Sequence, residues 1–522
     1  MSFSEMKSRM NGRGDLRIAL LFVILIAGFG LQSSSGQQTA PSAIEAEVQA
    51  ALERISENSL RGHLSFIASD LLEGRDTPSR GLDIAAEYIA AQFRRAGLEP
   101  VGDANEAGGK SYFQIANWKS VEPDATGFSA AVSDGKQTIN LTAQQITMNS
   151  QGGLDLPSTS IVKINAQDEA SISALTAEQV SGKIVFGEAL LNNRGLLGKL
   201  AEMNPAMLVM VNRAVPNGRG VGGKRLIDPE SSQQSRRLPV LTIHDPEAIK
   251  FLDSLPIGTT TAKLTVSLPM KEDRAVQLRN VVGLLPGSDP ILKDTYVLVT
   301  AHYDHIGVRP GATGDNINNG ANDDGSGTVS VIELASALSS MRTRPKRSIL
   351  FMTFFGEEKG LLGSRHYGRH PIFPLEKTVA DINLEHVGRT DDVEGDKTDT
   401  ATLTGFDFSD LGPIFKKAGE LTGVNVYKHE KNSDSFFGRS DNQAMADAGV
   451  PAHTLCVAFI FPDYHQVGDH WEKVNYPNLA KTNRMVALAL TMIANSSETP
   501  KWNAANPKTA RYVAAWKKLQ GQ

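Results

Sequence analysis

The sequence predicts an α/β protein: a mixed sheet with helices on both faces, interrupted by an inserted, mostly β domain. Three observations carry this. Beyond residue 272, apolar runs of strand length (NVVGLLPG, TYVLVTAH, RSILFMTFFGEE, TVADINLEH, PAHTLCVAF) alternate with helical segments such as GTVSVIELASALSSM, LGPIFKKAGELTG and NLAKTNRMVALALTMIA. Strands that are apolar throughout belong to sheets covered on both sides. Residues 117–272 have another texture, with short β-rich runs (GFSAAVSD, TSIVKINA, GKIVFGEA, AMLVMVN, LPVLTIH, AKLTVSLP) between polar turns. Finally, 522 residues exceed what one ordinary core organises.

In chain order, residues 1–36 read as a secretory signal. Lys7, Arg9, Arg13 and Arg17 precede the apolar run Ile18 to Leu31, and small polar residues follow, with cleavage expected near Gly36. The run is short of the roughly 20 apolar residues of a membrane span, and an uncleaved anchor is the alternative. Residues 37–116 are expected to form the helical start of the α/β domain. Its clearest helix puts Leu82, Ala85, Ile89, Ala90 and Phe93 on one face, and Gly97 stops it. Residues 117–272 read as the insertion and 273–522 as the main α/β part. The single cysteine, Cys456, permits no intramolecular disulfide and reads as a small buried hydrophobe. An exported protein without disulfides suits a periplasm, or a secreted form stable without them. A net charge of -5 gives no reason to expect nucleic acid or an anionic membrane as a partner.

Ligands of such sheets bind beyond the C-terminal ends of strands, where this chain places its acids and imidazoles: HYDH (302–305), GEE (356–358) and EH (385–386), with DYHQVGDHWE in a later loop. The loop NGANDDGSGT (319–328) admits two readings. As an EF-hand it would use Asn322, Asp324, Ser326, Gly327 and Glu333 at positions 1, 3, 5, 6 and 12. A strand precedes it, however, and its first position is asparagine, so a transition-metal site with one aspartate ligand is the better reading. Glu333, inside the following helix, reads as a surface residue. Mixed imidazole and carboxylate donors suit zinc, and less readily manganese or cobalt. Asp304, two residues beyond His302, can hold that imidazole's other nitrogen. Adjacent Glu357 and Glu358 cannot point the same way, so one can bind metal while the other moves protons.

Other features read as structural. GRGVGG (218–223) fits a dinucleotide fingerprint, but no helix-forming face follows it, so it reads as a flexible loop. His63, His244, His366, His370, His429, His453 and His470 read as surface or internally satisfied residues, whereas His305 and His386 sit beside ligands and could touch substrate. The four tryptophans are isolated.

Taken in order, HYDH, GANDDGSGT, FGEEKGLLGS, INLEH, RSDNQAMADAGVPA and YHQVGD resemble the M28 family of zinc aminopeptidases, over 279–494 and the helical segment near 60–114. The resemblance implies the zinc aminopeptidase (phosphorylase/hydrolase-like) fold and two zinc ions bridged by Asp323. His302 and Glu385 would complete one ion's set, and Glu358 and His465 the other's. Glu357 would be the general base, Asp304 would orient His302, Asp324 would shape the backbone after a cis Asp323–Asp324 peptide, and Asp469 would order the His465 loop. Two departures stand out: Glu385 where many members carry aspartate, and Asn442 where many carry histidine. The insertion resembles a protease-associated domain. The expected function is an exported, zinc-dependent exopeptidase acting on peptides, most simply an aminopeptidase. Alternatives on the same fold are a carboxypeptidase, a dipeptidase or a glutaminyl cyclase-like enzyme. A non-catalytic receptor or scaffold is the alternative of another class, and the complete donor set speaks against it.

Overall fold

The central strands are apolar because each faces two cores. In Tyr296–His302, Val297, Val299 and Ala301 pack with helices Ser326–Ser339 and Tyr476–Asn495, while Leu298 points into an opposite cluster with Phe354, Tyr367 and Met445. Strands Ser348–Phe354 and Thr378–Leu384 are buried at every position. The computed structural model describes residues 44–521 apart from 167, 189, 191–193, 215–217, 231–237, 310 and 312. The segment read as a secretory signal lies outside the described residues.

The larger sheet has nine strands, in the order Asn425–Tyr427, Thr400–Leu403, Ala452–Cys456, Thr378–Leu384, Tyr296–His302, Ser348–Phe354, Met270–Leu285, Phe113–Pro123 and Arg225–Ile227. The strand ending in His302 runs parallel to both of its neighbours. From there the chain passes first to Ser348–Phe354 on one side and then to Thr378–Leu384 on the other. The strand order therefore reverses at His302, and a crevice opens at such a switch point. Loops leaving all three strands meet there. The mixed sheet and its two-sided helical cover are as the sequence predicts.

Phe113–Pro123 and Met270–Leu285 pair antiparallel from Phe113↔Val281 to Glu122↔Glu272. They extend out of the large sheet, and the segment between them forms a second sheet of eight strands drawn from residues 129–268. Residues 117–123 and 270–272, placed in the insertion from the sequence, thus belong to strands of the large sheet. The insertion is mostly β but also holds helices, notably Arg194–Met203 and Pro246–Ser254. Gly195 and Gly198 weaken the helical signal of the first. GRGVGG is bonded along the strand Ile146–Asn149, with the Met148 amide donating to the Gly220 carbonyl, and a strand rather than a helix follows it.

Glu333 departs from expectation. It is buried, and accepts hydrogen bonds from the Ser59 hydroxyl (2.6 Å) and the Ser56 amide (3.1 Å). Helix Glu57–Ile67 packs over its helix from more than 250 residues away, a contact that local periodicity cannot reveal.

Candidate metal centre

Asp323 lies at the middle of the crevice, its side chain 3% exposed. Its Oδ1 is 3.3 Å from His302 Nε2 and 3.6 Å from His386 Nε2. Its Oδ2 is 3.1 Å from His465 Nε2 and 3.9 Å from His305 Nδ1. The two oxygens thus face two separate groups of donors. His302, Asp323 and Glu385 form one cluster able to hold a cation; His305, Asp323 and Glu358 form another. His465 joins the second, with its Nε2 3.3 Å from Glu358 Oε2. All five residues expected as ligands are therefore brought together. His305 and His386, left beside the site by the sequence reading, stand inside it.

Several buried atoms here have no hydrogen-bond partner: Nε2 of His302, His386 and His305, while His305 Nδ1 lies 2.7 Å from Glu358 Oε1. Orphaned buried polar atoms are costly, and this set consists of metal-donor types facing one gap. The residues fit two zinc ions that share one carboxylate.

Supporting groups fix these donors. His302 Nδ1 lies 3.1 Å from the Asp304 carbonyl and 3.5 Å from its carboxylate, so the main chain is the nearer partner and Nε2 is left to face the gap. The Asp304 carboxylate accepts the Glu357 amide (3.1 Å) and the Thr77 hydroxyl (3.1 Å). It therefore positions the Glu357 turn at least as directly as it positions His302. The Asp323–Asp324 peptide is cis. Asp324 accepts the amides of Gly327 (2.9 Å) and His302 (3.3 Å), holding the next helix against the strand end. Asp469 takes the amides of Asn322 and Asp323, which ties the His465 loop to the backbone of the central aspartate. Asn442, the second departure noted in the sequence, is buried and bonds Thr454 and the Phe437 carbonyl.

Glu357 lies with Oε2 3.9 Å from His302 Nε2. Burial, reinforced by the neighbouring Glu385, Asp441 and Glu358, pushes its carboxyl well above the usual range. Burial also pushes Asp323 upward, but the imidazoles of His386, His302 and His305 overcome this and hold it well below that range.

Some of the architecture had no sequence signal. Arg75 is fully buried and donates to the carbonyls of Ile67, Tyr303, Asn319 and Gly320 at 2.6–2.9 Å, pinning three segments around the crevice. Arg309 donates to the His465 carbonyl (2.6 Å). A cavity beside the donors has an apolar wall of Phe436, Phe459, Cys456 and Tyr464, with Arg439 at its edge. Tyr464 stacks on His465 with ring centroids 4.1 Å apart.

A parallel-strand switch point lined by two donor clusters around one shared carboxylate, with a separate buried glutamate, is an arrangement suited to two-metal hydrolysis. Residues 280–490 match the model of peptidase family M28. The chain is 26% identical over 323 residues to aminopeptidase YwaD of Bacillus subtilis, covering 58% of this chain and 64% of that protein. It is 24% identical over 443 residues to a probable leucine aminopeptidase 2 of Aspergillus oryzae, covering 76% and 81%. A short stretch of 92 residues is 37% identical to a vacuolar membrane protease of Verticillium alfalfae, 8% of that protein's length. In fold it is similar to an aminopeptidase from Aneurinibacillus sp. strain AM-1, with a TM-score of 0.55 at 18% identity over 87% of this chain and 97% of that one.

Proposed function

We propose that the chain is an exported two-zinc aminopeptidase that removes N-terminal residues from peptides. The observation that carries this is the bridging geometry of Asp323, with one donor set on each oxygen and Glu357 left over beside His302. Two zinc ions in these positions would polarise the scissile carbonyl and make a nucleophile of water at neutral pH. Glu357 then accepts the proton of the attacking water and hands it to the leaving amine. Its amide, held by Asp304, keeps the side chain on the metal side of the turn. The apolar cavity wall favours an apolar N-terminal side chain, and the Arg439 guanidinium disfavours a cationic one. Export is supported by the basic and then apolar N-terminus, and the insertion by its resemblance to a protease-associated domain. No helix among the described residues is long and apolar enough to cross a membrane.

The test is hydrolysis of leucyl, phenylalanyl and lysyl anilides and of N-blocked peptides, with chelator and with zinc restored. Leucyl and phenylalanyl anilides should be cleaved fastest, blocked peptides left intact, and activity lost and regained with the metal. Cleavage of blocked peptides in preference to free ones would overturn the aminopeptidase reading.

A further inference from the structure

We infer that the unpaired edge of strand Met270–Leu285 is a docking site for the downstream part of the peptide substrate, which adds to it as a further β-strand. The inference rests on the aminopeptidase reading above and gives it a substrate class: extended peptides, held through their main chain well beyond the bond that is cut.

The edge follows from register. Strand Ser348–Phe354 pairs with Met270–Leu285 only between Val281 and Leu285, whereas Phe113–Pro123 follows its other side as far as Met270. The Val282 amide donates to the Tyr112 carbonyl (2.7 Å), so even-numbered residues turn their main-chain groups toward Phe113–Pro123. The register is unbroken from Phe113↔Val281 to Glu122↔Glu272, so the amides and carbonyls of Asp273, Ala275, Gln277 and Arg279 face the opposite way. There the Tyr303 hydroxyl donates to the Arg279 carbonyl (2.6 Å), and beyond it no strand among the described residues pairs. An unpaired strand edge is a template for another strand.

A groove of about 770 Å³ runs along this edge, a volume in the range of ligand sites. One wall is Arg274 to Gln277 with Arg279; the other is Pro78, Ser79 and the start of helix Arg80–Arg95. No residue of Phe113–Pro123 lines it, so it lies off the free side of the strand. Arg279 ties the walls together through Glu87 (2.7 Å) and Asp83 (3.4 Å). The helix wall obstructs a second folded sheet, and the charges of Asp273 and Arg274 at the outer end discourage edge-to-edge pairing between copies. Ala275 and Gln277, within the groove, are exposed and uncharged. A single extended chain is the occupant that fits.

The groove also lies on the side by which the substrate leaves. The cavity for the N-terminal side chain is built partly on Ala452–Cys456, to one side of the strand ending in His302. Strands Ser348–Phe354 and Met270–Leu285 follow in order on the other side. A peptide with its first side chain in that cavity and its first carbonyl at the donor clusters is directed toward those strands. One segment joins crevice and groove: the Thr77 hydroxyl donates to Asp304 (3.1 Å), and Pro78 and Ser79 line the groove. At about 4.8 Å per strand spacing, the edge strand lies about 10 Å from the His302 strand, which an extended chain crosses in about three residues. Pairing then starts near the fourth residue beyond the cut bond. Main-chain pairing tolerates any sequence, which suits repeated removal of residues from one peptide.

The test compares a leucyl dipeptide with a ten-residue peptide that begins with leucine, on the zinc-loaded full chain. KM should be at least about 10-fold lower for the longer peptide, as several main-chain hydrogen bonds of ordinary net strength supply that much. Two further ten-residue peptides carry N-methyl groups on alternate residues from the sixth onward, in complementary sets. One set should raise KM to the dipeptide value, and the other, whose amides point away from the edge, should leave it unchanged. On the protein side, Ala275→Pro removes an edge amide without touching the ladder to Phe113–Pro123, and should bring the ratio of the two KM values toward 1. Equal KM for both lengths, no difference between the methylated sets, or an unchanged ratio in the variant would overturn the inference and leave the aminopeptidase reading intact. Failure of the zinc-loaded wild type to cleave either unmodified peptide would overturn both.

Discussion

The two sheets have parallel strands at their centres and helices on their faces, yet among the described residues only the larger carries a cluster of metal-donor side chains. In the eight-stranded sheet, the strands ending at Lys163, Phe186, Val211 and Ile243 also run side by side and in parallel. Among the described residues, the charged side chains that pair beyond them are exposed. Arg213 pairs with Glu188 and Asp253, with all three side chains 42–60% exposed. In the nine-stranded sheet His302, Asp323 and Glu358 are buried, Glu385 is 17% exposed and His465 39%. The difference is made by what covers the strand ends. Arg75 and the segment around it close one side of the crevice, and the loop carrying His465 and Asp469 closes the other. A parallel sheet supplies a place for a site, and covering segments supply the depth that makes carboxylates and imidazoles reactive.

The sharpest break in this comparison is chemical. Glu357→Gln keeps the shape of the buried side chain and removes its basicity. The rate constant kcat should fall about 1,000-fold, within the range attributed to a positioned general base. Zinc content should stay at the wild-type value, since Glu357 is not among the donors clustered about Asp323. Loss of zinc in this variant would show that Glu357 binds metal and that the base lies elsewhere.

Removing the cover comes next. Arg75→Leu leaves the carbonyls of Ile67, Tyr303, Asn319 and Gly320 without their donor. Each orphaned buried group costs on the order of 1–3 kcal/mol, and the sum is reduced by relaxation. A loss of about 3 kcal/mol or more in urea-unfolding stability is expected, with weakened zinc binding, because the Arg75 carbonyl also accepts the His305 amide. Unchanged stability and zinc affinity would mean that the crevice does not depend on its cover.

A third effect belongs to the floor of the large sheet and depends on pH. Asp381 is fully buried, and burial pushes its carboxyl up to about 7. Since its folded value lies above the unfolded one, its contribution to stability is present at low pH. That contribution is lost as pH rises from about 4 to about 7, at roughly 1.4 kcal/mol per pH unit. His63 and His453, lowered to about 4 by burial, act in the opposite sense, costing stability as pH falls from about 6.5 to 4. Comparing wild type with Asp381→Asn isolates the aspartate. The wild type should lose stability relative to the variant between pH 4 and 7, and the difference should be flat above 7. A difference independent of pH would show that Asp381 ionises normally.

These residues also mark how far the sequence was legible. The strands of the large sheet could be read because apolar runs buried on both faces leave an unbroken signal, and their polar termini pointed to the crevice. The order of the motifs singled out His302, Asp323, Glu357, Glu358, Glu385 and His465, which the fold brings together. Contacts made across the chain were not legible. Glu333 read as a surface residue because its partners, Ser56 and Ser59, lie in a helix far away in sequence. Arg75 sits in a stretch with no periodicity, and its role exists only once three segments meet. Asp381 is one acid in an apolar strand, where nothing local says that its neighbour will be the Thr300 hydroxyl. The approach of His386 to Asp323 goes with a left-handed backbone that the string NLEH does not encode.

The smallest expected effect tests the other half of the comparison. Arg213→Ala removes ion pairs at 2.7 and 2.9 Å between side chains that remain about half exposed. Water and salt screen such pairs, and the ordering of three flexible side chains offsets much of the attraction, so the loss should be between about 0 and 1 kcal/mol. That loss should shrink further in high salt, while kcat, KM and zinc affinity stay within about twofold of wild type. A larger change in zinc affinity or kcat would mean that the eight-stranded sheet is energetically coupled to the crevice. The same variant assayed on long and short peptides separates the two remaining roles of the insertion. A change in KM confined to long peptides would assign the Arg213 surface to substrate docking, and no change with either would leave that surface a passive face.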